Sequence, residues 1–125
     1  MGYFKEDKIK NKIKYYIKNN NNIEQKIEKA TIEGNKITYQ EKNIIVTLIK
    51  NNDKVTIIRE NSEFKQIIEF IINKKRISEY YIKDMDISLE FTIYTKELLI
   101  KNNQIHIKYF IEETNNEYEY DIKVL

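Results

Sequence analysis

The sequence predicts an all-β protein, a single antiparallel barrel of about eight to ten strands, on three observations. Short segments alternate between apolar and polar residues with the period of two that half-buried strands require. Turn signals, mostly asparagine pairs, separate these segments at regular intervals, and with only two glycines the asparagines must supply most positive-φ turn positions. The composition favours strands, because 25 Ile and 10 Tyr stand against one Ala and no Pro.

The first segment after the start of the chain fits two kinds of structure. Ile9, Ile13 and Ile17 combine with Tyr16 to form a helical stripe, and with Tyr15 to form one face of a strand. Both readings remain open from the pattern alone. Residues 1–7 show no such pattern, and we expect them to be frayed.

The middle of the chain contains a second ambiguous segment. Phe64, Ile67, Ile68 and Ile71 follow helical spacing, and Ser62 is a candidate N-cap. The high Ile content and the lack of Ala, Leu or Met in residues 63–72 favour a strand instead. Local pattern does not decide between the two.

Four further segments have the pattern of strands. Residues 42–50 are almost continuously apolar, so we expect them to be buried on both faces. Segments 87–94, 105–112 and 118–124 alternate and predict half-buried antiparallel strands. Their apolar positions are Ile87, Leu89, Phe91 and Ile93, then Ile105, Ile107, Tyr109 and Ile111, then Tyr118, Tyr120, Ile122 and Val124.

Composition excludes several classes of function. At 125 residues the chain is expected to be one domain, residues 1–125. It has no Cys and a single His, so we expect no metal site, no cofactor and no disulfide. The net charge of +2, with interspersed signs, disfavours a nucleic-acid partner. The start lacks a signal-peptide pattern and no apolar run is long enough for a membrane helix, so the cytoplasm is the expected location.

One ordered set of segments carries a family resemblance. The set comprises Asp53 to Arg59, a turn, Phe64 to Phe70, Tyr80-Tyr81, Thr95, and Ile105 to Tyr109. In order and spacing it resembles the YwiB-like family of small uncharacterised bacterial proteins with calycin-type, lipocalin-like barrels. Two turns depart from the family pattern: Asn61 stands near a usual glycine, and Asp84-Met85-Asp86 replaces a Pro-aromatic-Gly turn. The resemblance implies a calycin-like barrel in which Phe64 to Phe70 is a strand, and it implies no activity.

Arg59 is the most informative single residue. In a strand it shares a face with Val55 and Ile57, and a cation on an apolar face is costly unless it is paired. It is expected either to bind an anionic ligand at the barrel mouth or to pair with an internal carboxylate such as Glu41 or Glu90. The other candidate ligand-binding residues are interior hydroxyls, which would equally be explained as ordinary core residues: Tyr39, Tyr81, Thr95 and Tyr109.

Three weaker candidates are better explained without a function. His106 is expected to face solvent, because no partner or pocket is visible around it in the sequence. Asp84 and Asp86 fit turn chemistry and lack the rest of a calcium loop. A set that interleaves aromatic and basic residues near the start fits a solvated strand face better than a nucleic-acid site: Lys12, Lys14, Tyr15, Tyr16 and Lys18.

No catalytic motif is present, so the sequence predicts no catalytic residue and leaves an enzyme only as a third alternative. The first hypothesis is a non-enzymatic module that binds a small apolar or anionic ligand at the barrel mouth. The alternative is a barrel with a filled core that contacts a protein or RNA partner through its surface or a sheet edge. The sequence leaves the oligomeric state open.

Overall fold

The computed structural model describes residues 9–125, which form a closed barrel of ten antiparallel strands and contain no helix. Each strand pairs with the next in the chain, and β1 also pairs with β10 to close the barrel. The described part of the chain therefore contains no helix long and apolar enough to cross a membrane. The strands are β1 (Ile9–Asn19), β2 (Asn22–Glu33), β3 (Lys36–Glu41), β4 (Ile44–Lys50), β5 (Lys54–Glu60), β6 (Phe64–Ile71), β7 (Lys75–Ile82), β8 (Ile87–Ile100), β9 (Gln104–Ile111) and β10 (Asn116–Val124).

The all-β barrel predicted from the sequence is confirmed, and so is the strand reading of both ambiguous segments. Residues 9–19 and 64–71 are strands, and the helical alternative for 63–72 is wrong. β6 pairs with β5 over seven residue pairs, which places Phe64, Ile68 and Phe70 inside the barrel and leaves Ile67 outside. The expectation that residues 1–7 are frayed lies outside the described residues.

Asparagine supplies half of the backbone positions with positive φ among the described residues. Asn20, Asn73 and Asn115 have φ near 58°, and Gly34 has φ 62°. These conformations are accessible to Asn because its short polar side chain tolerates the left-handed region. The prediction that asparagine supplies most of these positions is therefore only partly met, because Lys42, Asp86 and Gly34 supply the other half.

The core lies in the middle of the barrel and is filled by side chains. Sixteen buried residues from nine of the ten strands form one apolar cluster, and β7 adds the buried Ser78. This packing is the ordinary solution for a small barrel, in which inward side chains meet across the axis. The middle of the barrel therefore leaves its two ends as the places where a ligand could enter.

The expectation for residues 42–50 is wrong. β4 alternates like its neighbours, with Val46 and Leu48 buried inside and Ile45 exposed on the outer wall. The apolar run therefore reflects isoleucine on a solvent-facing position, and no further layer of the described chain covers it.

Two hairpins extend beyond their neighbours at one end of the barrel. This end, here called the Arg59 end, carries the turns at 20–21, 42–43, 61–63, 83–86 and 112–115. β2 pairs with β1 over eleven residue pairs but with β3 over only four, from Ala30 to Glu33. β8 likewise begins at Ile87, whereas its pairing with β9 begins at Ile93. The barrel wall is therefore uneven at this end.

Candidate functional site

The strand register places Arg59 on the inner wall near the Arg59 end. Residues directly opposite one another on antiparallel strands point to the same face of the sheet. A continuous row crosses β3 to β8 in this way, and it contains the buried Tyr39 and Val46, so the row faces inward. The row consists of Tyr39, Val46, Arg59, Gln66, Tyr80 and Leu89.

Arg59 forms an ion pair with Glu41, as one of the sequence alternatives predicted. Its Nη2 atom donates to Glu41 Oε1 at 3.1 Å. The arginine side chain is 31% exposed and the glutamate 12% exposed, so the pair lies at the edge of the core and faces the opening. Pairing neutralises the charge of Arg59 and accounts for a cation on an otherwise apolar face.

Three tyrosines pack beneath this ion pair. The Tyr39 and Tyr120 hydroxyl oxygens lie 2.6 Å apart, and the Tyr15 and Tyr39 rings are 4.9 Å apart between centroids. Burial raises the pKa of Tyr39 and of Tyr120 far above the usual value, and burial together with Glu41 raises the pKa of Tyr15 to about 12. These phenols therefore stay protonated at neutral pH and act as hydrogen-bonding groups rather than as bases.

Thr95 and Tyr109 are neighbours on the inner wall formed by the adjacent strands β8 and β9. The two residues are directly paired between β8 and β9, and the Tyr109 ring packs 4.9 Å from that of Phe70. Burial raises the pKa of Tyr109, so this phenol is also neutral. The Oγ1 atom of Thr95 is buried and has no hydrogen-bond partner among the described residues. Burying a hydroxyl without a hydrogen-bond partner lowers the free energy of unfolding.

The inner wall of the protruding part of β8 is apolar and uncovered. Ile87 and Leu89 are 42% and 44% exposed, although the register aligns them with the buried Ile93 and the half-buried Phe91. Further along β8 this inner face is packed in the core, at Ile93 and Thr95. The Arg59 end therefore presents an apolar surface on β8 in addition to the ion pair.

The electrostatic balance around this opening is not positive. Glu41, Glu28 and Glu24 each act on the Tyr15 hydroxyl to raise its pKa, whereas Arg59 alone acts to lower it. Lys26 lies opposite Tyr15 in the register and adds one more positive charge. Three carboxylates thus meet two cations, and this arrangement disfavours an anion.

Four of the five candidate residues lie on the inner wall, and Tyr81 does not. Tyr81 is opposite Lys65 and Ser88 on the outer wall, where its hydroxyl donates to Asp86 Oδ1 at 2.7 Å. Successive residues of a strand face opposite sides, so only one tyrosine of the pair 80–81 can point inward. The sequence offered no means to choose, and the inward residue is Tyr80.

His106 has partners that sequence reasoning missed. Its Nδ1 lies 2.7 Å from Asp121 Oδ2, and its Nε2 lies 3.6 Å from Glu119 Oε2. Gln104 also donates to Asp121 Oδ2, and the Tyr16 hydroxyl donates to Glu119 Oε2. The expectation that His106 faces solvent without a partner is therefore wrong. Strand pairing between β9 and β10 creates this outer-wall cluster, and alternating polar residues on both strands are the only sequence signal for it.

A groove of about 820 Å³ lies on the outer wall where β2 separates from β3. Lys12, Lys29, Thr38 and Ile45 are among its lining residues. Among residues 9–125 no group of three or more His, Asp or Glu side chains is placed to hold a metal ion. The described residues thus offer a mixed polar groove outside and an apolar opening inside.

Comparison with known proteins gives a match in fold. No protein-family model matches the chain, and no curated protein matches it. The structure is similar to the crystal structure of the ywiB protein from Bacillus subtilis, with a TM-score of 0.64 and 16% sequence identity. The similarity covers 92% of this chain and 88% of that chain. At this identity the likeness establishes the shared barrel fold and leaves activity open.

Proposed function

We propose that the protein is a non-enzymatic module that binds a small, mainly apolar and uncharged ligand at the Arg59 end. The observation that carries the proposal is the uncovered apolar inner wall of Ile87 and Leu89, at the same end of the barrel as the half-buried Arg59–Glu41 pair. Ligand sites are typically concave and apolar, with a few polar groups that fix orientation. The filled middle of the barrel keeps the ligand out of the core, so the ligand would lie at an end of the barrel.

The apolar wall would contact the body of the ligand. Leu89 stands at one end of the row that also contains Tyr80, Gln66 and Arg59, so an apolar chain lying across this row from β8 towards β5 would have its polar end near the guanidinium. Glu41 is the one recorded side-chain partner of Arg59 within residues 9–125. A guanidinium has five N–H donors, so donors remain for a hydroxyl or carbonyl oxygen.

The anionic ligand of the first hypothesis is less compatible with this arrangement. Glu41 neutralises Arg59, and Glu24 and Glu28 add negative charge near Tyr15. A carboxylate head would lose its hydration and meet these like charges. An alcohol would lose less and could still accept a hydrogen bond from Arg59. The expected preference is therefore for a neutral head over an anionic one.

A pair of matched probes tests this proposal. Titration calorimetry with decan-1-ol and with decanoate, both below their aggregation limits, should detect binding of the alcohol and at least about tenfold weaker binding of the acid. Glu41→Gln removes the carboxylate that is paired with Arg59 and should reverse the preference, because the anion can then form the charge-assisted hydrogen bond that Glu41 occupies. Leu89→Glu should abolish binding of the alcohol, since it places a charge on the apolar wall.

Two results would reject the proposal. One is that neither probe binds and native mass spectrometry of the purified protein finds no retained small molecule. The other is that Leu89→Glu binds decan-1-ol as well as the natural sequence does. Ile67→Glu, on the outer wall of β6, is the matched control and should bind normally.

We also propose that the chain is a member of the YwiB-like family, with a calycin-type barrel, from a bacterial cytoplasm. The shared fold with the B. subtilis protein and the order of segments from Asp53 to Tyr109 support this assignment. Sequences of intermediate identity that link the two chains would test it.

A further inference from the structure

β2 has a free edge over most of its length. Residues 22–29 pair with β1 on one side, but on the other side β3 begins to pair only at Ala30. Residues 22–27 are exposed, including Ile23 and Ile27, each 59% exposed on the outer face. Unpaired backbone N–H and C=O groups on such an edge are a template for another strand. The edge carries no proline, and its charged residues alternate in sign.

The sequence of this edge is complementary to itself. When two copies of the segment Ile23–Ile27 are laid antiparallel about Gln25, Ile23 of one copy lies opposite Ile27 of the other. Glu24 then lies opposite Lys26, and Gln25 lies opposite Gln25 of the second copy. Each relation occurs twice, so the pairing creates two apolar pairs on the outer face and two ion pairs on the inner face. Opposite charges and apolar residues directly across an antiparallel ladder are favourable.

Neighbouring registers lack this complementarity. A shift that places the two-fold axis at Lys26 sets Lys26 against its own copy and Glu24 against Glu28, so that only like charges meet. A shift to Glu24 sets Ile23 against Gln25 and Glu24 against its own copy. An axis at Ile27 also sets Lys26 against Glu28, but it leaves Ile23 without an apolar partner and sets Gln25 against Lys29. The axis at Gln25 pairs both exposed isoleucines as well as the opposite charges, so it is the favoured register.

The free edge of β8 is a weaker candidate. Residues 87–91 precede the first pairing of β8 with β9, and their outward side chains are Ser88 and Glu90. These residues provide no opposite charges for a copy of the same segment. The β2 edge therefore carries the inference.

We propose that the protein forms a symmetric dimer in which the β2 edges of two copies pair antiparallel across a two-fold axis at Gln25. The contact is isologous, so it closes at two subunits. When the β2 edges of the two copies pair, the two barrel walls join into one continuous sheet, and neither copy keeps an exposed β2 edge. This inference does not rest on the proposed ligand, because the β2 edge and the inner wall of β8 are separate surfaces, although Glu24 and Lys26 also contribute to the charge around the opening.

A single-cysteine series tests the register directly, because the natural chain contains no cysteine. Gln25→Cys places two thiols opposite each other across the axis, at a Cα separation of about 5 Å that a disulfide can span. Ile23→Cys places them about 13 Å apart along the strands, which a disulfide cannot span. Mild oxidation should cross-link Gln25→Cys nearly completely and Ile23→Cys poorly. Asn52→Cys, at the other end of the barrel, controls for random collision.

A charge exchange tests the same contact without a covalent bond. Glu24→Lys or Lys26→Glu converts two attractive pairs into two repulsive ones, and each should raise the dimer dissociation constant at least about tenfold in sedimentation velocity. The double variant restores opposite charges in exchanged positions and should dimerise like the natural chain. Lys101→Glu, in a turn at the other end, should have no effect. All these positions are exposed, and circular dichroism should show an unchanged strand spectrum.

Two outcomes would overturn the inference. One is that the natural chain sediments as a monomer at every concentration across a hundredfold range. The other is that cross-linking is no more efficient at position 25 than at position 23 or 52, which would place any dimer contact elsewhere.

Discussion

Replacement of the buried Thr95 by valine should stabilise the protein. Thr95 is 1% exposed, and its Oγ1 has no hydrogen-bond partner among the described residues. Valine has nearly the same shape and is also β-branched, so Thr95→Val exchanges the hydroxyl for a methyl group without a change of strand preference. The free energy that folding loses by burying the unpaired hydroxyl, about 1 to 2 kcal/mol, is then recovered.

The substitution must preserve the backbone hydrogen bonds and the register shift at position 95. The amide of Asn73 donates to Thr95 O at 2.9 Å, the amide of Thr95 donates to Lys74 O at 3.3 Å, and a register shift follows between Thr95 and Glu97. Valine keeps all of these backbone groups. The bulge should therefore persist, and the measured change should report the hydroxyl alone.

Urea unfolding followed by circular dichroism, together with a thermal melt, provides the measurement. The midpoint temperature should rise by about 4 °C per kcal/mol for a chain of this size. Thr56→Val, on the outer wall of β5, is the matched control and should stay within about 0.5 kcal/mol of the natural chain. A loss of stability in Thr95→Val would refute the reasoning, because it would mean that the hydroxyl has a partner such as an enclosed water molecule.

Two further predictions concern titrating groups. The pKa of Tyr15 is raised to about 12, and burial raises those of Tyr39 and Tyr120 further, so the folded state holds protons that the unfolded chain releases near pH 10. The contribution of these tyrosines to stability should therefore be constant below pH 10 and should fall above it by up to about 1.4 kcal/mol per pH unit for each tyrosine. Urea midpoints that do not change between pH 9 and pH 12 would contradict this. Asp121→Asn should lower stability by about 1 to 3 kcal/mol, because the 7%-exposed carboxylate accepts from both His106 and Gln104. An effect no larger than that of Asp53→Asn, at an exposed turn, would show that the cluster is not structural.

The sequence by itself determined the fold class and the strand content. The period-two alternation of residues such as Ile105, Ile107 and Tyr109 is set by backbone geometry, so it survives in any strand environment. The asparagine turns were also readable, because positive φ is a local property. The same alternation placed Arg59 on one face with Val55 and Ile57, and Tyr109 on one face with Ile105 and Ile107, and the structure turns both faces inward.

Only the tertiary structure decided the features that depend on pairing between distant strands. The helical spacing of Phe64 and Ile67 was overridden because the ladder with β5 fixes which of them enters the core. The choice between Tyr80 and Tyr81 and the contact of His106 with Asp121 follow from register, which local pattern does not contain.

The uneven Arg59 end is the clearest example of this division. Glu41 was one of two carboxylates proposed for Arg59 from sequence, and strand order selected it by bringing β3 and β5 to the two sides of β4. The sequence does not indicate that β2 extends beyond β3, because the length of a strand does not determine how many of its residues pair with the neighbouring strand. Local alternation thus determined which residues point inward, and the closure of the barrel determined which of them meet and which edges stay free.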